Sequence, residues 1–340
     1  MKILFAAKDG FKYNRTFILS EGLKAIGVDV QFYKIPERQA KYGKELRDFS
    51  LSADAVFVPP FRHRDLAFVK KYSKSPVVFD PLISRYLTKV VDYGQYYKAP
   101  QKWLIDYRDF RNCDLLIADT QSHLDYFCKS FLLPSKLPKA VVPVGVNTDE
   151  FTAQYPKPSG DLNIGFYGTM VPLQGVLKII EALAVLKDES GLTFSILGTG
   201  YQYEAARELA AYKGLPVSIF KGWVSYVDLA YELSKIDLGL GIFGSSQKSD
   251  LVVPNKIFHY AALGKGILTK DSPAMREMFV HQKNIHCLKG GPEELAAAIL
   301  HFRDNRTDLI NLAYNARQNI EEHYSHKAVA KKLVEAISRL

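Results

Sequence analysis

The chain is poor in cysteine: Cys113, Cys128 and Cys287 are its only three in 340 residues. An odd number with no paired spacing excludes a disulfide scaffold and suggests no zinc site. The thiols are expected to be reduced, as in a cytosolic protein. Long apolar runs are also missing, and none approaches the ~18 residues of a membrane span. The start, MKILFAAKDG, has five apolar residues between Lys2 and Lys8. That is too short for a signal-peptide core and reads as a strand. Low-complexity tracts and internal repeats are absent. No recognised nucleic-acid motif occurs, so nucleic acid is not expected as a partner.

What is present is a globular composition, 47% hydrophobic, 12% aromatic and 24% charged, which excludes disorder. The length suggests two domains, each able to bury a core. The formal net charge is +9, and it is unevenly placed. Residues 1–150 hold 24 Lys/Arg against 17 Asp/Glu, whereas the rest hold 21 against 19. The first half therefore suggests an anionic partner, with ordinary solvated surface as the alternative.

Short Val/Ile/Leu-rich runs alternate with amphipathic stretches along the whole chain. Strands are expected at Lys2–Ala7, Val28–Tyr33, Ala53–Val58, Pro76–Phe79, Asp114–Ala118 and Lys139–Pro143. A second set follows at Leu162–Tyr167, Thr193–Leu197, Val217–Phe220, Asp237–Ile242, Gly266–Thr269 and Asn284–Leu288. This alternation predicts parallel sheets covered by helices on both faces. Phe151–Asp161 (FTAQYPKPSGD) reads as a linker. The expected fold is α/β, with two doubly wound domains facing across a cleft and ligands at the strand carboxyl ends.

Three segments carry chemistry. In VPNKIFHYAALGKGILT (Val253–Thr269), a helix begins after Pro254 and ends at Gly264. Asn255 and Lys256 stand in its first turn. A lysine there opposes the helix dipole, so it is unfavourable unless an anion such as a diphosphate is held. In IGFYGTMVPLQ (Ile164–Gln174), Gly168 ends a strand and Gly175 opens a helix. LGTGY (Leu197–Tyr201) repeats the pattern with Gly198 and Gly200. Such loops let backbone approach a phosphate or sugar, and plain turn chemistry explains them too.

Together with VPVGVNTDEF (Val142–Phe151) and FKGWV (Phe220–Val224), these segments occur in the order and spacing of a known family. The second half resembles the donor-binding domain of the retaining GT-B glycosyltransferases of the large family 4. The resemblance implies domains at 1–150 (acceptor side) and 161–322 (donor binding), with 323–340 packing back toward the first domain. It implies a nucleotide-diphosphate sugar as donor substrate, with no resident cofactor and no metal. Donor contacts would fall on Gly168, Thr169, Gln174, Gly198, Gly200, Asn255, Lys256 and His259. Two departures stand out. The family's Arg and Lys in the glycine-rich loop are Thr169 and Gln174 here. Its pair of glutamates falls on Leu251 and His259, with Asp250 beside the first place. Lys256 must then carry more of the diphosphate's charge, and His259 takes the ribose-binding place with different hydrogen-bonding chemistry.

In the first half, Gly10 and Arg15 lie in the loop and helix entry after the first strand, where they would reach donor phosphates. An exposed helix-entry arginine is the alternative. Asp80 and Asp119 follow strands directly, and His123 lies one turn on. These three are the catalytic candidates; the plain explanations are a helix cap at Asp119 or Thr120 and core packing for His123. Arg62, Arg64, Lys70, Lys71 and Lys74 form a basic cluster interleaved with aromatics. It reads as a surface for anionic membrane lipid or as a solvated helix face.

The expected function is transfer of a sugar to a hydroxyl of a glycan or lipid-linked acceptor, in cell-surface polysaccharide or glycoconjugate synthesis. The expected location is the cytoplasm, with peripheral contact at the inner membrane face. A nucleotide-sugar epimerase or hydrolase of the same fold is the alternative enzyme. A non-catalytic nucleotide-sugar-binding protein is the alternative outside enzymes, motivated by Thr169, Gln174 and His259.

Overall fold

Two six-stranded parallel sheets organise the chain in the computed structural model, which describes residues 1–289 and 291–340. Contacts divide it into one unit of Met1–Asn147 with His323–Leu340 and a second of Thr148–Glu322.

The first unit holds β1 (Lys2–Ala7), β2 (Asp29–Lys34), β3 (Ala55–Val58), β4 (Val77–Phe79), β5 (Leu115–Ala118) and β6 (Lys139–Val141). Their spatial order is β2-β1-β3-β4-β5-β6, so the winding direction reverses between β1 and β3. β3, β4 and β5 are buried along their whole length, as strands covered on both faces must be. Phe79, Phe110, Phe127 and Phe131 fill one side of the sheet. On the other side, Ile3, Phe5 and Leu19 meet Val329, Leu333 and Ile337 of the last helix, His326–Ile337. A Cβ on Gly22 would lie 2.0 Å from the His326 carbonyl oxygen, so glycine is what allows these two helices to touch.

The second unit holds β7 (Leu162–Tyr167), β8 (Leu192–Leu197), β9 (Phe220–Gly222), β10 (Leu238–Leu240), β11 (Gly266–Lys270) and β12 (His286–Leu288). Their order, β12-β11-β10-β7-β8-β9, reverses between β7 and β10. Gly239 makes room for the Tyr260 ring, 2.5 Å from where its Cβ would stand. Helix Asn255–Ala262 is thereby drawn tightly onto the sheet. Tyr260 Oη accepts from the Tyr167 amide at 3.1 Å and donates to the Gly165 carbonyl at 3.3 Å.

Two expectations need correction. Val217–Ile219 is a 3₁₀ turn, and the strand begins only at Phe220. Phe151–Asp161 is not a free linker. Phe151 is buried and stacks on His259, and the Gln154 amide donates to the Leu263 carbonyl at 2.8 Å. Its Pro and Gly content conceals two aromatic anchors, Phe151 and Tyr155, the latter packed on Gly264.

Candidate functional site

In the second unit the carboxyl ends of β7 and β10 form the topological switch point, where doubly wound sheets bind ligands. Lys256 lies there. It is 3% exposed, and its ammonium sits 3.5 Å above the Phe166 ring. Its only hydrogen bond among the described residues is a long one, 3.3 Å to the Gly241 carbonyl. Burial alone pushes its pKa well below the usual lysine range, and no carboxylate opposes that shift.

Glycines shape the backbone around this cation. Gly168 has φ +146°, and a Cβ there would come within 3.3 Å of Lys256 Nζ. Gly198, at φ +115°, could not carry a Cβ, which would stand 2.2 Å from the Gly168 carbonyl oxygen. A Cβ on Gly200 would stand 2.7 Å from the Met170 amide nitrogen. The Gly198–Gly200 loop therefore supports the Gly168–Met170 loop. Gln174 Oε1 is buried near Gly168 without a hydrogen bond, whereas Thr169 is exposed. Asn255 is partly exposed at the helix start.

His259 is stacked between Phe151 (4.3 Å) and Tyr167 (5.8 Å), nearly parallel to both. Its Nδ1 is hydrogen bonded to Tyr167 Oη, and its buried Nε2 has no partner among the described residues. Burial lowers its pKa to about 3, so it is neutral at physiological pH. One ring nitrogen remains for a ligand. Asp250 is committed to Lys270 at 2.6 Å.

The first unit gathers a different set at the carboxyl ends of β1, β4 and β5. Arg15 and Asp80 form an ion pair at 2.5 Å, with both side chains wholly buried. Arg15 also donates to the Val142 carbonyl at 2.8 Å, leaving one guanidinium nitrogen unpartnered. The alternative of an exposed helix-entry arginine is thereby excluded. Asp80 has its pKa raised, because burial outweighs the stabilising Arg15 charge. His123 Nδ1 donates to the Asp119 carboxylate at 2.7 Å, while Thr120 caps the His123 amide at 3.0 Å. The cap is thus Thr120 and not Asp119. His123 Nε2 is buried and unpartnered, as are both amide atoms of Asn14. Tyr13 is pushed up to about 12 by burial, with Arg15, Asp80 and Asp119 all felt at its hydroxyl. The structure therefore brings Arg15, Asp80, Asp119 and His123 together, with Tyr13 as an unforeseen member. Gly10, at φ +98°, packs on the Arg62 side chain instead.

The basic cluster is partly used internally. Lys70 pairs with Asp114 at 2.6 Å and Arg62 with Asp9 at 3.3 Å.

Residues 178–335 match the family model described as glycosyl transferase-like. No curated protein matches. Among solved structures, HepE of Anabaena, in complex with UDP and glucose, has a TM-score of 0.74 at 14% identity, over 100% of both chains. Sucrose-phosphate synthase of Thermosynechococcus elongatus has 0.73 at 11%, over 100% of this chain and 98% of that one. A glycosyltransferase of Rickettsia africae has 0.68 at 14%, over 99% and 98%. The fold is GT-B. The match at 178–335 spans the greater part of the second unit and runs on into the last helix, which belongs to the first. Among the described residues no group of His, Cys, Asp or Glu is arranged to hold a metal ion, and no helix is long and apolar enough to cross a membrane.

Proposed function

We propose that this GT-B protein is a retaining glycosyltransferase of the family 4 type, using a UDP-sugar as donor. The observation that carries the reading is Lys256, a buried amine with no carboxylate partner at the switch point of the second sheet. A buried cation without a counter-charge is costly, and a diphosphate would supply the missing charge. The ammonium would then stabilise negative charge as it develops on the leaving UDP, without a metal. UDP as the nucleotude's identity is supported by the HepE complexes with UDP and with UDP-glucose.

Gln174 and the Gly168 backbone would face the same phosphates, and His259 Nε2 a ribose hydroxyl. In the first unit, Asp80, Asp119 and His123 would line the acceptor side. With Asp80 held by Arg15, the leaving phosphate itself would accept the acceptor's proton, so no dedicated base is required. The acceptor is a hydroxyl of a glycan or lipid-linked glycan, in cell-surface polysaccharide synthesis. The test is a thermal-shift screen over UDP, GDP, dTDP and ADP sugars, followed by an assay for acceptor-dependent release of the nucleotide. Transfer with retention supports the proposal. Release with no acceptor, or a donor changed only in its sugar, favours a hydrolase or an epimerase.

A further inference from the structure

The first unit contains a cavity of about 220 Å³ at the carboxyl ends of β3 and β4. Phe61 and Ile83 give it an apolar wall, while Arg85, Lys89 and Lys102 bring three cations. His63 and Thr88 complete the lining. His63 is 2% exposed, and among the described residues neither ring nitrogen completes a hydrogen bond, although the Phe61 and Ile83 carbonyls lie near and Nε2 stands 4.0 Å from the Asp106 carboxylate. Thr88 Oγ1 is likewise buried and unpartnered. Arg85 is half-buried; burial pushes its pKa down, Asp109 and Asp106 favour its charge, and Arg64 and Arg62 oppose it. Lys89 lies over the Tyr93 ring at 4.8 Å. The backbone beside the cavity is held in an unusual form, since Phe61 (φ 65°) and Leu82 (φ 55°) are left-handed without being glycine. Such conformations persist at sites that the surrounding structure fixes.

We infer that this cavity is a subsite for a phosphate ester carried by the acceptor. The inference rests on the glycosyltransferase reading and deepens it. Three cations with two unpaired neutral groups suit the oxygens of one phosphate, and Arg85 supplies the forked donor set. Phe61 and Ile83 suit the carbon skeleton attached to it. Tyr96, Tyr97 and Leu104 stand exposed on the neighbouring turn and helix, which also carry Lys98 and Lys102. That surface extends the site toward a lipid chain.

The test uses the full-length protein and its Arg85→Gln and Lys102→Gln variants. Each is titrated with glucose 1-phosphate and with glucose, following the His63 ring resonances by NMR. Parallel sedimentation uses phosphatidylcholine vesicles with or without polyprenyl phosphate. UDP titration of the same samples reports donor binding and folding. The expected result is at least tenfold preference for glucose 1-phosphate, with a His63 shift and a tenfold loss in either variant at unchanged UDP affinity. Retention on polyprenyl phosphate vesicles that Arg85→Gln abolishes assigns a lipid source, whereas binding of the soluble phosphate alone assigns a free one. Phosphate binding that leaves His63 unmoved, or that UDP displaces, overturns the subsite while leaving the donor reading intact.

Discussion

Arg15 and Asp80 form a 2.5 Å ion pair with no exposed side-chain surface on either partner. Removing one member strands the other charge in the interior, at a cost of about 3–5 kcal/mol. Arg15→Met should therefore lower the urea midpoint of the first unit sharply, and Asp80→Asn less, since the Val142 carbonyl still receives a guanidinium N–H. Equal stability of wild type and Arg15→Met would show that the pair does not fasten the helix after β1 to the segment after β4.

The Gly198–Gly168 contact makes a second prediction. Gly198→Ala must relieve both a φ of +115° and a 2.2 Å approach to backbone oxygen. The expected loss is more than about 2 kcal/mol, with weakened nucleotide binding, because the loop that positions Gly168 must move. Chemical denaturation and UDP titration of the variant check both.

His259 predicts a pH dependence. Its folded pKa of about 3 lies below the ordinary 6.5, because burial penalises the charged ring. Between these values the unfolded chain binds the additional proton, so stability falls as pH drops below about 6.5. Asp106, raised to about 6 by burial, acts in the opposite sense at a separate place. Urea midpoints measured from pH 7.5 to 4.5 should fall less steeply in His259→Gln than in wild type.

Lys256 predicts proton uptake on binding. Its amine is depressed by burial, and an arriving diphosphate favours the charged form. At alkaline pH, calorimetric heats of UDP binding should vary with the ionisation enthalpy of the buffer, in the sense of protons taken up. Lys256→Met should remove that variation.

Much of the fold was legible because strands buried on both faces are continuous apolar runs. Lys2–Ala7 and Leu162–Tyr167 coincide with the expected strands at both ends. The site was legible where backbone chemistry announces itself. Gly168, Gly198 and Lys256 each break a local preference, and the structure brings them together. Side-chain partners were not legible. Arg15 read as a residue reaching for phosphate or as an exposed helix-entry cation, and only the pairing of β4 beside β3 carries Asp80 to it across 65 residues. His259 looked like a substituted glutamate. Its stack on Phe151 depends on a segment whose Pro and Gly content reads as linker. His63 lay unremarked within a run of charges, and its burial follows from the turn at Phe61.

Lys256 is the centre of the account, and calorimetric titration of wild type and Lys256→Met with UDP and with uridine tests it most directly. The account predicts that UDP binds wild type much more tightly than uridine and that the variant loses most of this difference. It also predicts that the unliganded variant is at least as stable as wild type, because a buried uncompensated amine has been replaced by an apolar chain. Equal loss of UDP and uridine binding, or UDP binding unchanged in the variant, would contradict it.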